Sequence, residues 1–227
     1  MSTRSKRFTE AQKKVDATKK YTVVEAVALA RETSTVKFDA GVEIHLRLGI
    51  DSKKADQIVR GSVSLPHGTG KKKKVAVFAE GKDAEAAKKA GADMVGGLEL
   101  IKEIKLKNAA DFEVAIAHPS MMRHLGQIAK VLGPKGLMPN PKNETVTPDV
   151  AKAVKDVQGG KVSFRNDDTG NIHQLVGRVS FETKQLEENL NTFLEAIQRA
   201  KPQGAKGAYI LTATLTSSMG PAILLTV

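Results

Sequence analysis

The chain has no cysteine, no tryptophan and only two tyrosines among its 227 residues. Without cysteine, neither disulfides nor thiolate-bound metals can form, which fits a reducing compartment. No apolar run approaches the roughly 20 residues that span a bilayer, and the N-terminal sequence MSTRSKRFTEAQKK lacks the apolar core of a signal peptide. We therefore expect a cytoplasmic protein that does not engage a membrane.

Positive charge is what the composition has in excess. The 36 Lys and Arg residues outnumber the 25 Asp and Glu residues, giving a formal net charge of +11. Such a balance favours a polyanionic partner, and nucleic acid is favoured over an acidic membrane surface. Since aromatic residues make up only 4% of the chain, base stacking can be only a minor mode of binding. Binding is expected to depend on phosphates, sugar hydroxyls and shape.

The usual signatures of catalysis are missing. The five histidines form neither an HExxH motif nor a pair at i, i+4 spacing, and the sequence has no serine nucleophile elbow. The adjacent Asp167 and Asp168 lie where a turn favours aspartate for backbone reasons. The glycine-rich HGTGKKKK segment at 67–74 fails as a phosphate-binding loop, because Leu65 and Lys72 stand at motif positions. We therefore predict no enzyme activity, no metal site and no cofactor.

The two ends of the chain have the pattern of an antiparallel α+β fold. Thr22 and Glu25 form a capping box before a helix, and apolar residues alternate along a half-buried strand at 42–48. A short helix is predicted at 51–60, a strand at 61–65, and a hairpin at 161–181 with Gly170 in its turn. An amphipathic helix follows from Thr183, and strands are predicted at 207–216 and 222–227. Residues 4–20 read as a short basic helix or arm.

The middle of the chain has a different pattern. Continuous apolar strands alternate with helices from Val75 to the glycine pair at 159–160, which indicates parallel strands with helices on both faces. A helix capped by Thr147 is predicted in this segment. The expected fold class is therefore two-domain α/β, with a discontinuous α+β domain (1–67 and 160–227) carrying an antiparallel sheet. A Rossmann-like parallel α/β domain (68–159) is inserted into it.

Proline and glycine are concentrated in the segment from Val131 to Lys142, VLGPKGLMPNPK. Such density predicts a stiff loop, because each proline fixes its own φ and restrains the residue before it. We expect the apolar pair of this loop, Leu137 and Met138, to be exposed. The signature residues of this loop are Gly133, Pro134, Lys135, Gly136, Leu137, Met138 and Pro139. From composition alone, an ordinary connection with a proline stop is the alternative interpretation.

Three segments, in this order along the chain, resemble the family of large-subunit ribosomal protein one. They are VEIHL at 42–46 with Phe38 before it, GPKGLMPNPK at 133–142 after a helix-like segment at 124–132, and TLTSSMGP at 214–221. The resemblance covers nearly the whole chain. This family builds the protein part of the mobile side stalk of the large ribosomal subunit.

The resemblance implies a non-enzymatic, ribosome-associated protein that is a monomer when free. Its implied partners are large-subunit ribosomal RNA, exit-site transfer RNA, which it helps to release, and the messenger RNA of its own operon, whose translation it represses. The implied principal RNA contacts are Lys37, Phe38, Thr216, Ser218, Met219 and Gly220, with Glu43, Lys161 and Arg165 as further contacts. Lys135 and Lys142 either set the geometry between the domains or make secondary phosphate contacts.

Residue patterns alone leave alternatives open at these positions. Alternating hydroxyls from Thr212 to Ser218 suit RNA sugars and phosphates, but they also suit a threonine-rich edge strand. Phe38 beside Lys37 is either an exposed contact or a buried core residue. An α/β enzyme acting on a phosphorylated small molecule and a nonspecific cationic chaperone are the competing functions.

Overall fold

The computed structural model describes residues 5–107, 109–205 and 207–226. The helices are α1 (Lys6–Lys13), α2 (Val23–Glu32), α3 (Lys82–Lys89), α4 (Leu98–Lys107), α5 (Met122–Leu125), α6 (Ala129–Leu132), α7 (Val150–Gln158) and α8 (Thr183–Arg199). The strands are β1 (Gly41–Leu48), β2 (Arg60–Ser64), β3 (Val75–Phe78), β4 (Met94–Gly96), β5 (Val114–Ala117), β6 (Lys161–Arg165), β7 (Asn171–Arg178), β8 (Ile210–Ser217) and β9 (Ile223–Leu224). None of the helices in these ranges is long and apolar enough to cross a bilayer.

The chain divides into two compact units. Residues 5–70 and 163–226 form a discontinuous unit, and residues 71–162 form an inserted unit. The structure divides the chain after residues 70 and 162, whereas the sequence pattern predicted divisions after residues 67 and 159. An antiparallel sheet lies in the first unit and a separate parallel sheet in the second, which confirms the predicted two-domain α/β fold class.

A four-stranded sheet in the order β7-β1-β8-β9 is the frame of the discontinuous unit. β1 pairs antiparallel with both β7 and β8, so this interior strand comes from the first part of the chain and its two neighbours come from the last part. Val42, Ile44 and Leu46 are at most 1% exposed. The residues between them point to the opposite, polar face, as the period of a strand requires.

Two helices cover the apolar face of this sheet. α2 begins with the predicted capping box between Thr22 and Glu25, and it contacts α8, β8 and β9. Its buried residues are Ala26, Val27 and Ala30, whereas the apolar Val24 is 56% exposed. α8 buries the predicted apolar face, namely Leu186, Leu190, Phe193, Leu194 and Ile197.

Asn189 of α8 is fully buried and hydrogen-bonds two backbone segments. Its Oδ1 accepts a hydrogen bond from the backbone N–H of His67 at 3.1 Å, and its Nδ2 donates to the carbonyls of Gly68 at 2.9 Å and Val176 at 2.8 Å. A buried amide with its hydrogen bonds satisfied fixes its surroundings strongly. The helix is thereby joined to β7 and to the segment after β2.

The predicted hairpin at 161–181 is wrong. β6 pairs with β2 in a two-stranded sheet, whereas β7 lies at the edge of the four-stranded sheet. Asn166 explains the separation, because it exchanges two hydrogen bonds with Val59: its Oδ1 accepts from Val59 N–H at 2.8 Å and its own N–H donates to Val59 O at 3.0 Å. The turn itself is as predicted, with Gly170 at φ +81°.

The inserted unit is a three-stranded parallel sheet in the order β4-β3-β5. Alternate residues of β3 serve its two faces. Val75 and Val77 pack with α3 and α7 residues such as Ala87 and Val154. Ala76 and Phe78 pack with a second core that includes α4, α5 and α6. This confirms the predicted parallel arrangement with helices on both faces.

The signature loop differs from expectation in one respect. Leu137 and Met138 are partly buried against the core beside α4 to α6, so the apolar pair is not exposed. The physical reason is that the loop closes onto the end of α6: Leu137 N–H donates to Leu132 O at 3.0 Å. Gly136 has φ +68°, while Gly133 keeps helical angles. Lys135 is exposed, and the side chain of Lys142 lies outside what the structure describes.

Two local predictions need correction. The helix predicted at 51–60 is only the 3₁₀ turn Ala55–Gln57, because the Asp51 carboxylate accepts from the Lys53 N–H and holds a turn instead. The cap of α7 is Asp149, which accepts from the Lys152 N–H at 3.1 Å. Thr147, the predicted cap, bonds the N–H of Asp149. In both cases a short polar side chain bonds a nearby backbone amide.

Candidate nucleic-acid interface

The ends of β1 and β8 meet at a tightly packed corner. Ser218 N–H donates to Gly41 O at 2.9 Å, and Gly41 N–H donates to Ser218 Oγ at 3.2 Å. A Cβ on Gly41 would lie 2.6 Å from Leu175 Cδ1, and a Cβ on Gly220 would collide with Ser217 Oγ. Glycine at both positions lets the Leu175 and Ser217 side chains pack directly against the backbone, and a Cβ at either position would force one of these side chains to move.

Met219 projects from this corner in a strained conformation. Gly220 N–H donates to Ser217 O at 2.8 Å, which closes a turn with Met219 at its third position. The φ of Met219 is +63°, a left-handed value that glycine usually takes at this position of a type II turn. The Met219 side chain is nevertheless 71% exposed. A strained backbone that presents an exposed apolar side chain is the kind of feature that marks binding sites.

The loop before β1 carries Lys37 and Phe38 to the same corner. Phe38 precedes Gly41 by three residues, so their Cα atoms lie at most about 11 Å apart. Phe38 is 57% exposed, and Lys37 is also exposed. Asp39 fixes the loop, since its carboxylate accepts from the N–H and the hydroxyl of Ser180 at 3.1 and 2.9 Å.

Arg178 provides a second anchor for this loop, and the sequence carried no signal for it. Its Nη1 donates to Asp39 O at 2.7 Å. The two residues are 139 positions apart, so only the pairing of β1 with β7 brings them together. Asp39 and Arg178 thus belong to the corner as residues that position Phe38.

The polar face of the sheet continues from the corner along β1. Opposite residues on this face are Glu43 with Leu175 and Thr216, His45 with His173 and Thr214, and Arg47 with Asn171 and Thr212. Hydroxyls, imidazoles and charged groups of three strands therefore share one surface. Apart from Leu175 these strand residues are hydrogen-bond donors and acceptors, and none of them is Phe, Tyr or Trp.

Two histidines lie at the centre of that face. The Nδ1 atoms of His45 and His173 are 2.8 Å apart, and His45 Nε2 lies 3.2 Å from Thr216 Oγ1. Partial burial, and then the nearby His173 ring, lower the pKa of His45. At neutral pH we expect His45 to be a neutral hydrogen-bonding group.

The nine predicted contacts do not all come together. Lys37, Phe38, Glu43, Thr216, Ser218, Met219 and Gly220 lie on or beside the corner of β1 and β8. Arg165 is exposed on β6, in the two-stranded sheet of the same unit. Lys161 belongs to the inserted unit, where its ammonium group pairs with the Glu144 carboxylate and its side chain is only 15% exposed.

The sequence of the chain matches a known protein family. Residues 30–221 match the ribosomal protein L1p/L10e family. Curated relatives named large ribosomal subunit protein uL1 are 54% identical in Mycolicibacterium smegmatis (98% of this chain, 94% of the relative). Those in Streptomyces coelicolor and Thermobifida fusca are 55% and 53% identical, over 98% and 97% of this chain and 92% and 93% of the relative.

A match of this extent defines a two-unit ribosomal protein. The chain belongs to the ribosomal protein L1p/L10e family. The resemblance to the family of large-subunit ribosomal protein one, drawn from three sequence segments, is therefore confirmed.

Proposed function

We propose that the chain is a constituent of the large ribosomal subunit and binds large-subunit ribosomal RNA of the side stalk through its discontinuous unit. The corner of β1 and β8, with Lys37, Phe38, Ser218 and Met219, is the centre of the interface. The polar face with Glu43, His45 and Thr216 extends it. Family membership supports the ribosomal role, and the net charge of +11 supports an RNA partner.

The single observation that carries the proposal is the exposure of Phe38 and Met219, at 57% and 71%, on a corner whose backbone is held by hydrogen bonds between Gly41 and Ser218. A rigid surface of hydroxyls, backbone groups and two apolar side chains recognises a preformed RNA shape without reading many bases. We do not expect Lys161 to be a primary contact while Glu144 neutralises it. Arg165 is exposed and stays in the proposed interface as a phosphate contact.

The finer functions follow from the same chemistry. A site that reads shape and phosphates accepts any RNA that presents the same geometry. We therefore propose that the chain also represses its own operon by binding its messenger RNA, and that it takes part in release of exit-site transfer RNA. In the first case, side-stalk RNA and the messenger must compete for one site on a monomer.

The test of RNA binding is Met219→Asp. The substitution places a carboxylate against phosphates, and like-charge contact costs several kcal/mol. We expect that loss in a gel-shift titration with a side-stalk RNA fragment at a fixed, stated salt concentration. Because Met219 is mostly exposed, folding should be unaffected, which circular dichroism checks.

The matched control is Leu211→Asp. Leu211 is 50% exposed at the far end of β8, about 20 Å along the strand from Ser217. The same charge there should leave affinity within about twofold of wild type. Full binding by the Met219 variant, or equal loss in both variants, would contradict the proposed interface. Equal affinity for scrambled RNA would favour a nonspecific cationic chaperone.

A further inference from the structure

A groove beside Met219 is not accounted for by the contacts described above. Its volume is about 320 Å³, and it is lined by Ser5, Arg7, Phe8, Met219 and Gly220. The groove lies between the first turn of α1 and the turn that closes β8. It therefore adjoins the proposed RNA-binding corner, since two of its residues belong to both.

α1 is held firmly enough to form one wall of this groove. Ala11 and Val15 are buried, at 4% and 8% exposure. Lys14 Nζ lies 2.8 Å from the Glu32 carboxylate at the end of α2, and the Ser5 side chain caps the helix by accepting from Phe8 N–H. The buried side chains and the cap place the first turn of α1, with Arg7 and Phe8, beside the turn that contains Met219.

The groove combines an apolar floor with a basic rim. Phe8 is half-buried, and Met219 supplies an exposed thioether chain. Arg7 is exposed at the rim, and the first turn of α1 has no acidic residue. Between residues 5 and 20 the sequence has six Lys or Arg against two Asp or Glu. A ligand that suits this arrangement has a flat apolar part and a negative charge next to it.

We propose that this groove takes one unstacked base of the bound RNA, with its ring against Phe8 and Met219 and its phosphate beside Arg7. Unpaired bases that leave the stack are the parts of RNA that proteins hold against aromatic rings and arginine planes. A volume of this size matches the lower range of small-ligand sites. The inference rests on the proposed function, because the base belongs to the RNA bound at the adjoining corner.

Contact with a base would explain why methionine occupies the strained, left-handed position 219. A left-handed residue in this turn is normally glycine or asparagine, yet here the chain keeps a long, flexible thioether. Such a side chain adapts its shape to a flat ring. Met219 then acts on both the corner and the groove, whereas Arg7 and Phe8 act on the groove alone.

The experiment is a cycle of RNA and protein changes on the full chain. Each unpaired nucleotide of a side-stalk RNA fragment is replaced in turn by an abasic residue, and affinity is measured for wild type, Phe8→Leu and Phe8→Tyr. With wild type, one abasic position should weaken binding by about 5- to 150-fold, the range for stacking of one base on an aromatic ring. With Phe8→Leu that penalty should largely disappear, and Phe8→Tyr should restore it.

The outcomes separate this inference from the proposed function. If no abasic position weakens binding, or if the penalty is the same in Phe8→Leu, the groove does not hold a base and the inference is overturned. The proposed function survives that result as long as Met219→Asp still abolishes tight binding of the intact RNA. If wild type does not distinguish side-stalk RNA from scrambled RNA, both fail. If Phe8→Leu does not fold, Arg7→Gln at the exposed rim replaces it, and unchanged affinity of that variant for the intact RNA would overturn the inference.

Discussion

The left-handed turn at Met219 leads to a prediction that reverses an ordinary rule. At most positions alanine is better tolerated than glycine, because glycine loses more conformational freedom on folding. At φ +63° the order should invert, since any Cβ is crowded there and glycine has none. We therefore expect Met219→Gly to give a more stable protein than Met219→Ala.

The magnitude follows from two opposing terms. A left-handed residue with a Cβ costs about 1 to 2 kcal/mol, and the extra chain entropy of glycine costs about 0.5 to 1 kcal/mol. Both variants lose the same small burial, because the Met219 side chain is 71% exposed. Glycine should exceed alanine by about 0.5 to 1 kcal/mol, or roughly 1 to 4 °C in melting temperature for a unit of this size.

The assay benefits from the placement of the tyrosines. The chain has no tryptophan and two tyrosines, and both Tyr21 and Tyr209 lie in the discontinuous unit. Urea unfolding followed by tyrosine fluorescence therefore reports that unit alone, which avoids the ambiguity of a two-unit protein. Equal m-values would show that the variants are compared between the same states.

The control is the same pair of substitutions at Leu211, an exposed strand residue without a positive φ. There alanine should be the more stable by about 0.5 to 1 kcal/mol. If Met219→Ala is as stable as Met219→Gly, or more so, Met219 is not held in a left-handed turn. The reasoning about strain at the corner would then be wrong.

Two further predictions concern buried polar groups of the same unit. Asn189→Leu should cost about 1 to 3 kcal/mol in the urea assay, because the buried Val176 carbonyl loses its partner. The partly buried His67 N–H and Gly68 carbonyl lose theirs as well, so a cost below about 1 kcal/mol would contradict that. Burial raises the pKa of Tyr209 to about 12, because the folded unit favours the protonated phenol. The stability that this preference contributes is fully present below pH 10, and we expect it to be lost as the pH rises from 10 to 12. Tyr209→Phe should remove this alkaline loss without destabilising the unit at pH 7, since the Tyr209 hydroxyl is buried without a hydrogen-bond partner in the described structure. A titration of tyrosinate absorbance in the wild-type protein measures the raised pKa.

Local pattern was sufficient for most elements of the fold. The capping box at Thr22 and Glu25 fixed the start of α2, and strict alternation from Val42 to Leu48 identified β1 and its buried face. The continuous apolar run at Val75 marked a strand that is covered on both sides. These features depend on residues close together in sequence, which is why pattern detects them.

Pairing between distant segments was not predictable in the same way. β6 and β7 follow one another with a good turn between them, but the hydrogen bonds of Asn166 to Val59 join β6 to β2 instead. The burial of Leu137 and Met138 likewise depends on a core that only the assembled inserted unit provides. Loop length and composition do not identify which distant segment a strand or loop will pack against.

The candidate site shows the same limit. The resemblance identified Phe38 and Met219, and the structure brings them to one corner. Composition could not indicate that Met219 adopts φ +63°, because methionine is not a turn residue. Nor could it indicate that α1 reaches the same corner, since a basic helix with one phenylalanine resembles any solvated surface helix.

The order of strands in the four-stranded sheet has a consequence for synthesis on the ribosome. β1 is made early, yet both of its neighbours are made much later, as the separation of 128 positions between His45 and His173 shows. An unfinished chain holds a complete inserted unit long before it can close the sheet. The proposed binding of RNA at the corner of β1 and β8 therefore requires nearly the whole chain, so we expect truncated chains that lack β8 not to compete with the finished protein for RNA.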